Sequence, residues 1–323
     1  MDIVTLVPAF KPQYLPDLLN SLRLQTRPSR HIVFSDDSKQ GEYRVALFSE
    51  ALAPLRQGLS IECVEGPRRG GYPNILQLVE RHAGGAALVH VMLDDDLLYP
   101  SFYERHLVAH ASARFSCSIS RRWTASESGQ PISGQPVPPA VEQTAHRLVS
   151  LVSDVVFMTT AAECKNWFGE FSNAVFRAET LPIFAKPAFE GVSYAGLWDL
   201  GAFMAASLLA PIGYIQDHLG AFRTGGQGNS GQFYGPYMKA AHLAYAALGL
   251  GGRRLGRYSE AQARQCFGTI ANAVQVRYGT QAEMLPFVPL LATMAQSADP
   301  AATAKVEAQF LLQWQNYLQH HDF

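Results

Sequence analysis

The sequence predicts an α/β protein with a mostly parallel, doubly wound sheet and a helical C-terminal extension. Short apolar runs alternate with helical leucine spacing over roughly the first 95 residues, which is the pattern of such a sheet. Two of the apolar runs end in aspartates, at 36–37 and at 94–96. After Tyr237 the chain carries only helical patterns.

The composition limits which kinds of protein this chain can be. The 323 residues are 48% hydrophobic and 16% charged, enough for one large domain or two modest ones with a sizeable core. A formal net charge of -1 gives no support to nucleic-acid binding. The four cysteines show no CxxC spacing, which indicates reduced thiols and a cytoplasmic protein. The first residues lack a signal-peptide pattern, and no apolar run reaches the roughly 20 residues of a transmembrane helix.

The first part of the chain repeats a strand followed by a helix. β-Branched and apolar runs predict strands, and Pro8 is expected to end the first of them; these strands are 3–7, 31–34, 61–64 and 89–93. Leucine spacing and capping signals predict helices at 14–24, 47–55, 75–81 and 102–110.

The later part is less regular. Further strands are expected at 115–120, 171–177 and 213–216, and an apolar helix at 197–209. Proline- and glycine-rich composition predicts loops at 124–144, 187–195 and 223–235. The terminal helices are expected at 238–248, 259–278, 282–295 and 300–318. Their apolar faces suit packing against the sheet or, in a homo-oligomer, against a second subunit.

Acidic residues follow two of the predicted strands. Open α/β sheets bind ligands at the carboxyl ends of their strands, so both acidic sites are expected to face one crevice. Adjacent carboxylates repel one another, and a divalent cation with oxygen ligands would relieve that repulsion. The alternatives are a solvated acidic turn at Asp94, Asp95 and Asp96, and an Asx turn at Asp36 and Asp37.

Three more pairs of residues are candidates for a site. Arg68 and Arg69 precede a predicted helix, where an anion is favoured, although a solvated basic loop is the alternative. Trp198 and Asp199 open an apolar helix, so Asp199 is either a general base or an acid favoured by the helix dipole. His106 and His110 have i, i+4 spacing, but no third metal ligand is placed, and a packed or surface pair is favoured.

Several common catalytic motifs are absent. The sequence contains no GxxxxGK[ST] loop, no GxGxxG after the first strand and no GxSxG elbow. ATPase, Rossmann dehydrogenase and serine hydrolase chemistry therefore have no support.

The order VTLVPAF, HIVFSDDS and MLDDDLLYP resembles the nucleotide-binding half of a family 2 glycosyltransferase with the GT-A fold. The resemblance covers residues 2–110 and, more loosely, 165–230. It implies a glycosyltransferase domain at 1–235, with a Rossmann-like nucleotide-sugar-binding half at 1–110 and an acceptor half at 111–235. Residues 236–323 would be the helical extension.

The resemblance also assigns roles to residues. It implies Mn²⁺ or Mg²⁺ bound by Asp95 and Asp96, with Asp94 facing the ribose. It implies a nucleotide-contacting set formed by Pro8, Ala9, Phe10, Asp36, Arg68 and Arg69.

The acceptor side resembles the family less closely. FSNAVFRAET resembles the acceptor-side strand, and GLWDLGAF resembles the segment with the catalytic base. Asp199 is the acid in that segment and Glu190 the reserve, because Gly196 and Leu197 stand where the family has an acidic pair. A histidine ligand for the metal has no match in register, although His218 is nearby.

The expected function is metal-dependent, inverting transfer of a hexose-type sugar from a UDP-, GDP- or TDP-sugar. The acceptor hydroxyl would belong to a glycan, a lipid-linked sugar or a protein. One alternative is a non-catalytic module that binds a nucleotide sugar or a protein. The other is a sugar-1-phosphate nucleotidylyltransferase, against which the glycine-free stretch PAFKPQYLPD argues.

Overall fold

The computed structural model describes residues 1–225, 231–297 and 299–323. Part of the glycine-rich segment expected to be a loop, residues 226–230, lies outside the described residues. The chain divides into two compact units. The first consists of Met1–Val152, Trp167–Lys186 and Ala205–Thr224, and the second of Ser153–Asn166, Pro187–Met204 and Gly225–Phe323.

A sheet of ten strands forms the centre of the first unit. Its main path runs in the order β3-β2-β1-β4-β9-β6-β12-β5, while β7 pairs with β6 and β8 with β12. The first four strands are β1 (Ile3–Ala9), β2 (His31–Asp36), β3 (Ile61–Glu65) and β4 (Leu88–Val91). They are all mutually parallel, as the alternation of strands and helices predicts. The predicted α/β class with a large, mostly parallel sheet is confirmed.

β1 is longer than expected, and the prediction that Pro8 ends it is wrong. Pro8 lies opposite Ser35 of β2, and Ala9 lies opposite Asp36. Proline lacks only the N–H donor, so its carbonyl and the residue after it remain able to pair. The ladder continues through the Asp37 N–H, which donates to the Ala9 carbonyl at 2.8 Å. The carboxyl ends of β1 and β2 are thereby held at one level.

Helices cover both faces of the parallel strands. The helices of this half are α1 (Leu15–Arg23), α2 (Glu42–Leu47), α3 (Ala53–Arg56), α4 (Gly71–His82) and α5 (Phe102–Ser112). The leucines of α1, at the predicted helical spacing, are buried in one apolar cluster with Ile3 and Val7 of β1 and Phe102 of α5. Helix α4 contacts β1 and β2 without contributing to that cluster, which places it on the other face.

The remaining strands of the sheet bring antiparallel pairs. They are β5 (Leu97–Leu98), β6 (Cys117–Ala125), β7 (Pro131–Gly134), β8 (Leu148–Leu151), β9 (Ala174–Arg177) and β12 (Ile212–Arg223). β9 pairs antiparallel with β4 and β6, whereas β12 runs parallel to β6. The stretch 124–144, expected to be a loop, contains β7 and a short helix α6 (Pro139–Glu142), because pairing with β6 orders it.

The second unit is mainly helical. Its elements include α7 (Ser153–Thr159) and the hairpin of β10 (Ala188–Phe189) and β11 (Val192–Ser193), which replaces the loop expected at 187–195. The hairpin is followed by α8 (Trp198–Leu209). After β12 come α9 (Pro236–Arg254), α10 (Glu260–Tyr278), α11 (Phe287–Gln296) and α12 (Pro300–His320). A separate extension beginning at residue 236 stays a prediction. Within the described residues, none of the helices combines the length and apolar character needed to cross a membrane.

Candidate functional site

The acidic triplet, Asp94, Asp95 and Asp96, lies at the carboxyl end of β4, beside the end of β1. Asp94 Oδ2 accepts hydrogen bonds from the backbone N–H groups of Phe10 at 2.6 Å and Lys11 at 2.5 Å. Burial, followed by the neighbouring charge of Asp95, raises the pKa of Asp94 to about 6. Asp94 therefore fixes the loop after β1 against the triplet.

Asp95 is the triplet's point of access. Its carboxylate forms an ion pair with Lys11 Nζ, and its side chain is 19% exposed. Its backbone carbonyl accepts a hydrogen bond from Arg223 Nη1 at 2.8 Å. The guanidinium of Arg223, at the end of β12, thus holds the main chain of the triplet while leaving the Asp95 carboxylate to other partners.

Asp96 is buried, with 2% of its surface exposed. Neither of its carboxylate oxygens has a hydrogen-bond partner among the described residues. Burial, followed by the charge of Asp95, raises the pKa of Asp96 well above its usual value, and the nearby Ser172 hydroxyl and Arg122 guanidinium only partly oppose that rise. A buried carboxyl group without partners is costly, and it marks a place where a cation or a donor group would be stabilised.

The acids at the end of β2 are already engaged. Asp36 Oδ1 accepts from the backbone N–H of Ser38 at 2.9 Å and from its hydroxyl at 2.5 Å. Asp36 Oδ2 accepts from the N–H of Arg44 in the first turn of α2 at 2.9 Å. Asp37 accepts from the N–H groups of Arg68 and Gly70, the latter at 3.2 Å. Asp36 therefore forms an Asx turn at the end of β2, while its contact with a nucleobase stays a prediction.

The loop between β3 and α4 meets the same end of the sheet. Arg68 has a positive φ of 55°, and its Nε donates to the Ser38 carbonyl at 3.3 Å. Its guanidinium also pairs with Glu65 at 2.8 Å and is 48% exposed. Arg69 is exposed. The structure thus brings Arg68 to the end of β2, beside the carboxylate of Asp37.

Buried polar residues that were not identified from the sequence hold the backbone directly before the triplet. The Leu93 N–H donates to the Ser172 hydroxyl at 3.0 Å, and the Ser172 carbonyl lies 3.0 Å from His90 Nε2. His90 Nδ1 lies 3.1 Å from the Tyr103 hydroxyl. Complete burial lowers the pKa of His90 to about 4, so the ring is neutral at pH 7.

A second buried pair, Arg122 and Glu170, was also missed. Arg122 Nη2 lies 2.6 Å from Glu170 Oε2, and the guanidinium stacks over the Phe222 ring at 4.5 Å. Burial raises the pKa of Glu170, Arg122 opposes that rise, and the charge of Asp95 adds to it. Glu170 thus lies close enough to the triplet to respond to its charge. The GEFSN spacing that forms a capping box at 170–173 was the available signal.

The candidate bases lie in the second unit. Asp199 is in the first turn of α8 (Trp198–Leu209), where its Oδ1 accepts from the Leu200 N–H at 2.7 Å. Glu190 has a φ of 47° and, with Gly191 at 77°, forms the two-residue turn of the β10–β11 hairpin. Glu190 is exposed, whereas Asp199 is half-buried.

The histidines behave as packed residues. His106 Nδ1 lies 2.6 Å from the Ser118 hydroxyl, and His110 Nε2 lies 3.1 Å from the Val175 carbonyl. Burial lowers the pKa of both, to about 4 for His110. They are the packed pair that the spacing argument favoured. His218 stacks on Trp123, with ring centroids 4.1 Å apart.

The carboxylate oxygens of the triplet are ligands that suit a hard cation such as Mg²⁺. Among the described residues, no group of three or more His, Cys, Asp or Glu side chains is arranged to hold a metal ion. Mg²⁺, however, is usually bound through one or two carboxylates together with waters and substrate phosphates. The partner-free oxygens of Asp96 and the accessible carboxylate of Asp95 supply two such ligands. The residues present therefore fit a divalent cation that is completed by a phosphorylated ligand.

Comparison with known proteins gives similarity of structure rather than of sequence. No protein-family model and no curated protein sequence matches the chain. The crystal structure of Staphylococcus aureus TarS aligns over 99% of this chain and 55% of that chain, with 14% identity and a TM-score of 0.57. The chain thus spans about half the length of that TarS chain.

Shorter TarS structures give similar values. TarS 1-349 in complex with UDP aligns over 99% of this chain and 91% of that one, with 13% identity and a TM-score of 0.55. The complex of TarS 1-349 with UDP-GlcNAc aligns over 99% of this chain and 92% of that one, with 14% identity and a TM-score of 0.54. The chain therefore has the GT-A-like fold that the sequence predicts.

Proposed function

We propose that the protein is a family 2-like, inverting glycosyltransferase that moves a hexose-type sugar from a nucleoside diphosphate sugar to an acceptor hydroxyl. The observation that carries the proposal is the acidic triplet at the carboxyl end of β4, with an accessible carboxylate on Asp95 and a partner-free one on Asp96. A sheet of this kind binds its ligands at that end.

The similarity to TarS supports a nucleotide-sugar donor. TarS structures contain UDP and UDP-GlcNAc, and they share the fold of this chain. At 14% identity or less this likeness concerns the fold, so the choice among UDP-, GDP- and TDP-sugars is open to measurement. The acceptor, a glycan, a lipid-linked sugar or a protein, is likewise part of the proposal.

The donor would bind over the ends of β1, β2 and β4. Phe10, 58% exposed directly after β1, would offer an aromatic face to the nucleobase, and the buried Pro8 and Ala9 precede it in the strand. Asp94 would face the ribose, and Arg68 or Arg69 a phosphate or the base. Asp36 would contribute through the turn that it holds in place, since its oxygens already accept three hydrogen bonds.

Asp95 and Asp96 would hold Mn²⁺ or Mg²⁺. Bound there, the cation would act as a Lewis acid that neutralises charge on the leaving diphosphate. The chain's own contribution is to present both carboxylates at one strand end, with Arg223 fixing the Asp95 carbonyl and Ser172 fixing the Leu93 N–H.

Asp199 is the proposed general base. Its position in the first turn of α8 favours the ionised carboxylate, because the helix dipole stabilises negative charge there. A base that removes the proton from the acceptor hydroxyl permits direct displacement at the sugar carbon, with inversion. Glu190 remains the reserve, although its place in an exposed hairpin turn is explained by the turn itself.

Calorimetry with UDP, GDP and TDP, each with and without Mn²⁺, tests the donor site. We expect one of the three to bind, and to bind more tightly with the metal, because diphosphate oxygens complete its ligand set. If none of the three binds under either condition, the protein is not a nucleotide-sugar enzyme. A donor-hydrolysis assay then separates an enzyme from the non-catalytic module that was the alternative.

The variant Asp199→Asn tests the base. The substitution is nearly isosteric but cannot accept a proton, so turnover should fall by about 10²–10⁴ while donor affinity stays within a few-fold. Glu190→Gln is the matched control, for which we expect near-normal turnover in an acceptor screen with glycans and peptides. The opposite result, with turnover lost only in Glu190→Gln, would assign the base to the hairpin.

A further inference from the structure

Lys11 connects two acids of the triplet. Its backbone N–H donates to Asp94 Oδ2 at 2.5 Å, and its ammonium pairs with the carboxylate of Asp95. The two contacts span more than 80 residues of sequence, and they join the loop after β1 to the end of β4. Because the main chain of Lys11 is held by Asp94, its side chain begins next to the triplet and its ammonium reaches Asp95.

The ammonium cancels the most accessible charge of the triplet. Of the ion pairs formed by the described residues, only the one between Lys11 and Asp95 involves the triplet. Asp96 is buried and Asp94 is used by two backbone N–H groups, so Asp95 is the carboxylate that an incoming cation meets. A divalent cation cannot share that oxygen with an ammonium at contact distance, because like charges so close repel strongly.

The Lys11 side chain can also move from Asp95 to another anionic partner. It is 30% exposed, and lysine carries its charge on a flexible four-carbon stem. Lys11 follows the carboxyl end of β1, which is the edge of the sheet where an anionic ligand is expected. An ammonium released from Asp95 would find its next favourable partner in the phosphates of that ligand.

We propose that Lys11 is an exchangeable counter-ion that occupies the metal-binding carboxylate of Asp95 until a nucleoside diphosphate arrives. This inference rests on the proposed function and deepens it. The divalent cation binds weakly to the free protein because it must displace the ammonium. The nucleotide strengthens metal binding because its diphosphate takes up the displaced ammonium as well as the metal, and by linkage the metal strengthens nucleotide binding by the same factor.

Mn²⁺ binding in the absence of nucleotide tests the competition directly. Electron paramagnetic resonance measures free Mn²⁺ during titration of the full chain, so no turnover is needed. In Lys11→Met, whose side chain is of similar length but uncharged, we expect Mn²⁺ to bind about tenfold more tightly, because the competing charge is gone. Lys11→Arg keeps a cation and should stay within about threefold of the unmodified protein.

Two controls make the result specific. Lys186→Met removes an exposed lysine of the same unit and should leave Mn²⁺ affinity unchanged. Lys11→Gln removes the charge with a different side chain and should reproduce the effect of Lys11→Met. Circular dichroism spectra establish that each variant is folded before the titrations are compared.

A second titration with UDP, GDP and TDP measures the coupling. The nucleotide that binds should tighten Mn²⁺ binding to the unmodified protein by a larger factor than in Lys11→Met. If the Lys11 variants bind Mn²⁺ no more tightly than the unmodified protein, or if neither binds it, the counter-ion role is overturned. Nucleotide binding that persists in that case leaves the proposed function standing, whereas loss of nucleotide binding by every protein refutes the proposed function by itself.

Discussion

The carboxyl ends of β2 and β4 look alike in sequence and differ in chemistry. Both strands are buried and parallel, and both run into consecutive aspartates. At β2, five N–H or O–H donors of the chain satisfy Asp36 and Asp37. At β4, Asp96 has no hydrogen-bond partner within the described residues, and Asp95 contacts an ammonium on a flexible stem.

The difference arises from the backbone segments that meet each strand end. After β2 the chain turns at once into α2, and the loop at 66–70 folds over the same end, so backbone N–H groups converge on the carboxylates. After β4 the chain passes through β5 towards α5, and backbone N–H groups of the loop after β1 reach only Asp94 of the triplet, so that among the described residues none donates to the carboxylates of Asp95 and Asp96. An acidic strand end is therefore available for a ligand only where backbone N–H groups do not already occupy its carboxylate oxygens.

Asp95→Asn should produce the largest effect on ligand binding. Replacing the carboxylate that we propose as a cation ligand with an amide should weaken metal-dependent nucleotide binding by about 10²-fold or more. Calorimetry with Mn²⁺ and the nucleotide that binds measures it, and thermal unfolding should show little change. Asp154→Asn, at an aspartate that is 77% exposed in the second unit, is the control. Unchanged affinity in Asp95→Asn would place the metal elsewhere.

Asp36→Ala should show the reverse pattern. The substitution leaves the N–H groups of Ser38 and Arg44 without their acceptor, so we expect a loss of about 1–3 kcal/mol in the free energy of unfolding. Urea denaturation measures this loss. A stable Asp36→Ala variant that no longer binds nucleotide would show instead that Asp36 contacts the ligand directly.

Gly66→Ala should disturb the β2 end alone. A Cβ at this position would lie 2.8 Å from Asp37 Oδ1 and 2.9 Å from the Asp36 carbonyl oxygen, closer than carbon and oxygen approach without movement. We expect a destabilisation of about 1–2 kcal/mol in urea denaturation, the scale of steric crowding in a packed site. Gly84→Ala meets no atom within 4 Å and should be nearly neutral. Equal stability of both variants would mean that the loop over β2 is loosely held.

His90→Gln, in β4, should give the smallest effect, which is a change in how the free energy of unfolding depends on pH. The pKa of His90 is lowered to about 4 in the folded protein, against about 6.5 unfolded, so the unfolded chain binds more protons between these values. The contribution of His90 to stability is thus complete above about pH 6.5 and falls as the pH drops towards 4. Between pH 7 and 5.5 this amounts to about 1 kcal/mol.

The variant isolates that contribution from opposing groups. Asp94, with a pKa raised to about 6, gains stability on protonation in the same range. Subtracting the urea-unfolding profile of His90→Gln from that of the unmodified protein cancels the shared term from Asp94. Parallel profiles over pH 5.5–7 would contradict a buried, neutral His90.

Much of the first half of the fold could be predicted because its signals are local. The β-branched run of β1 and the leucine spacing of α1 report burial on one face of an element, whatever the partner is. The place of the acids at strand ends follows from the same reasoning, since parallel strands present their carboxyl ends at one edge. His106 and His110 could be set aside for lack of a third ligand, and the structure shows them packed.

Local sequence patterns were thus enough to predict the α/β class, the alternation of strands and helices over roughly the first 95 residues, and the edge of the sheet where the acids lie. The tertiary structure decided which acids remain available, because their partners come from distant segments: Lys11 for Asp95, Arg68 for Asp37, and Ser172 for the turn at Leu93. It also decided the antiparallel place of β9 between β4 and β6, which no local pattern encodes. Strand and helix signals are read from neighbours in sequence, whereas the satisfaction of a buried carboxylate depends on donors brought to it only by folding.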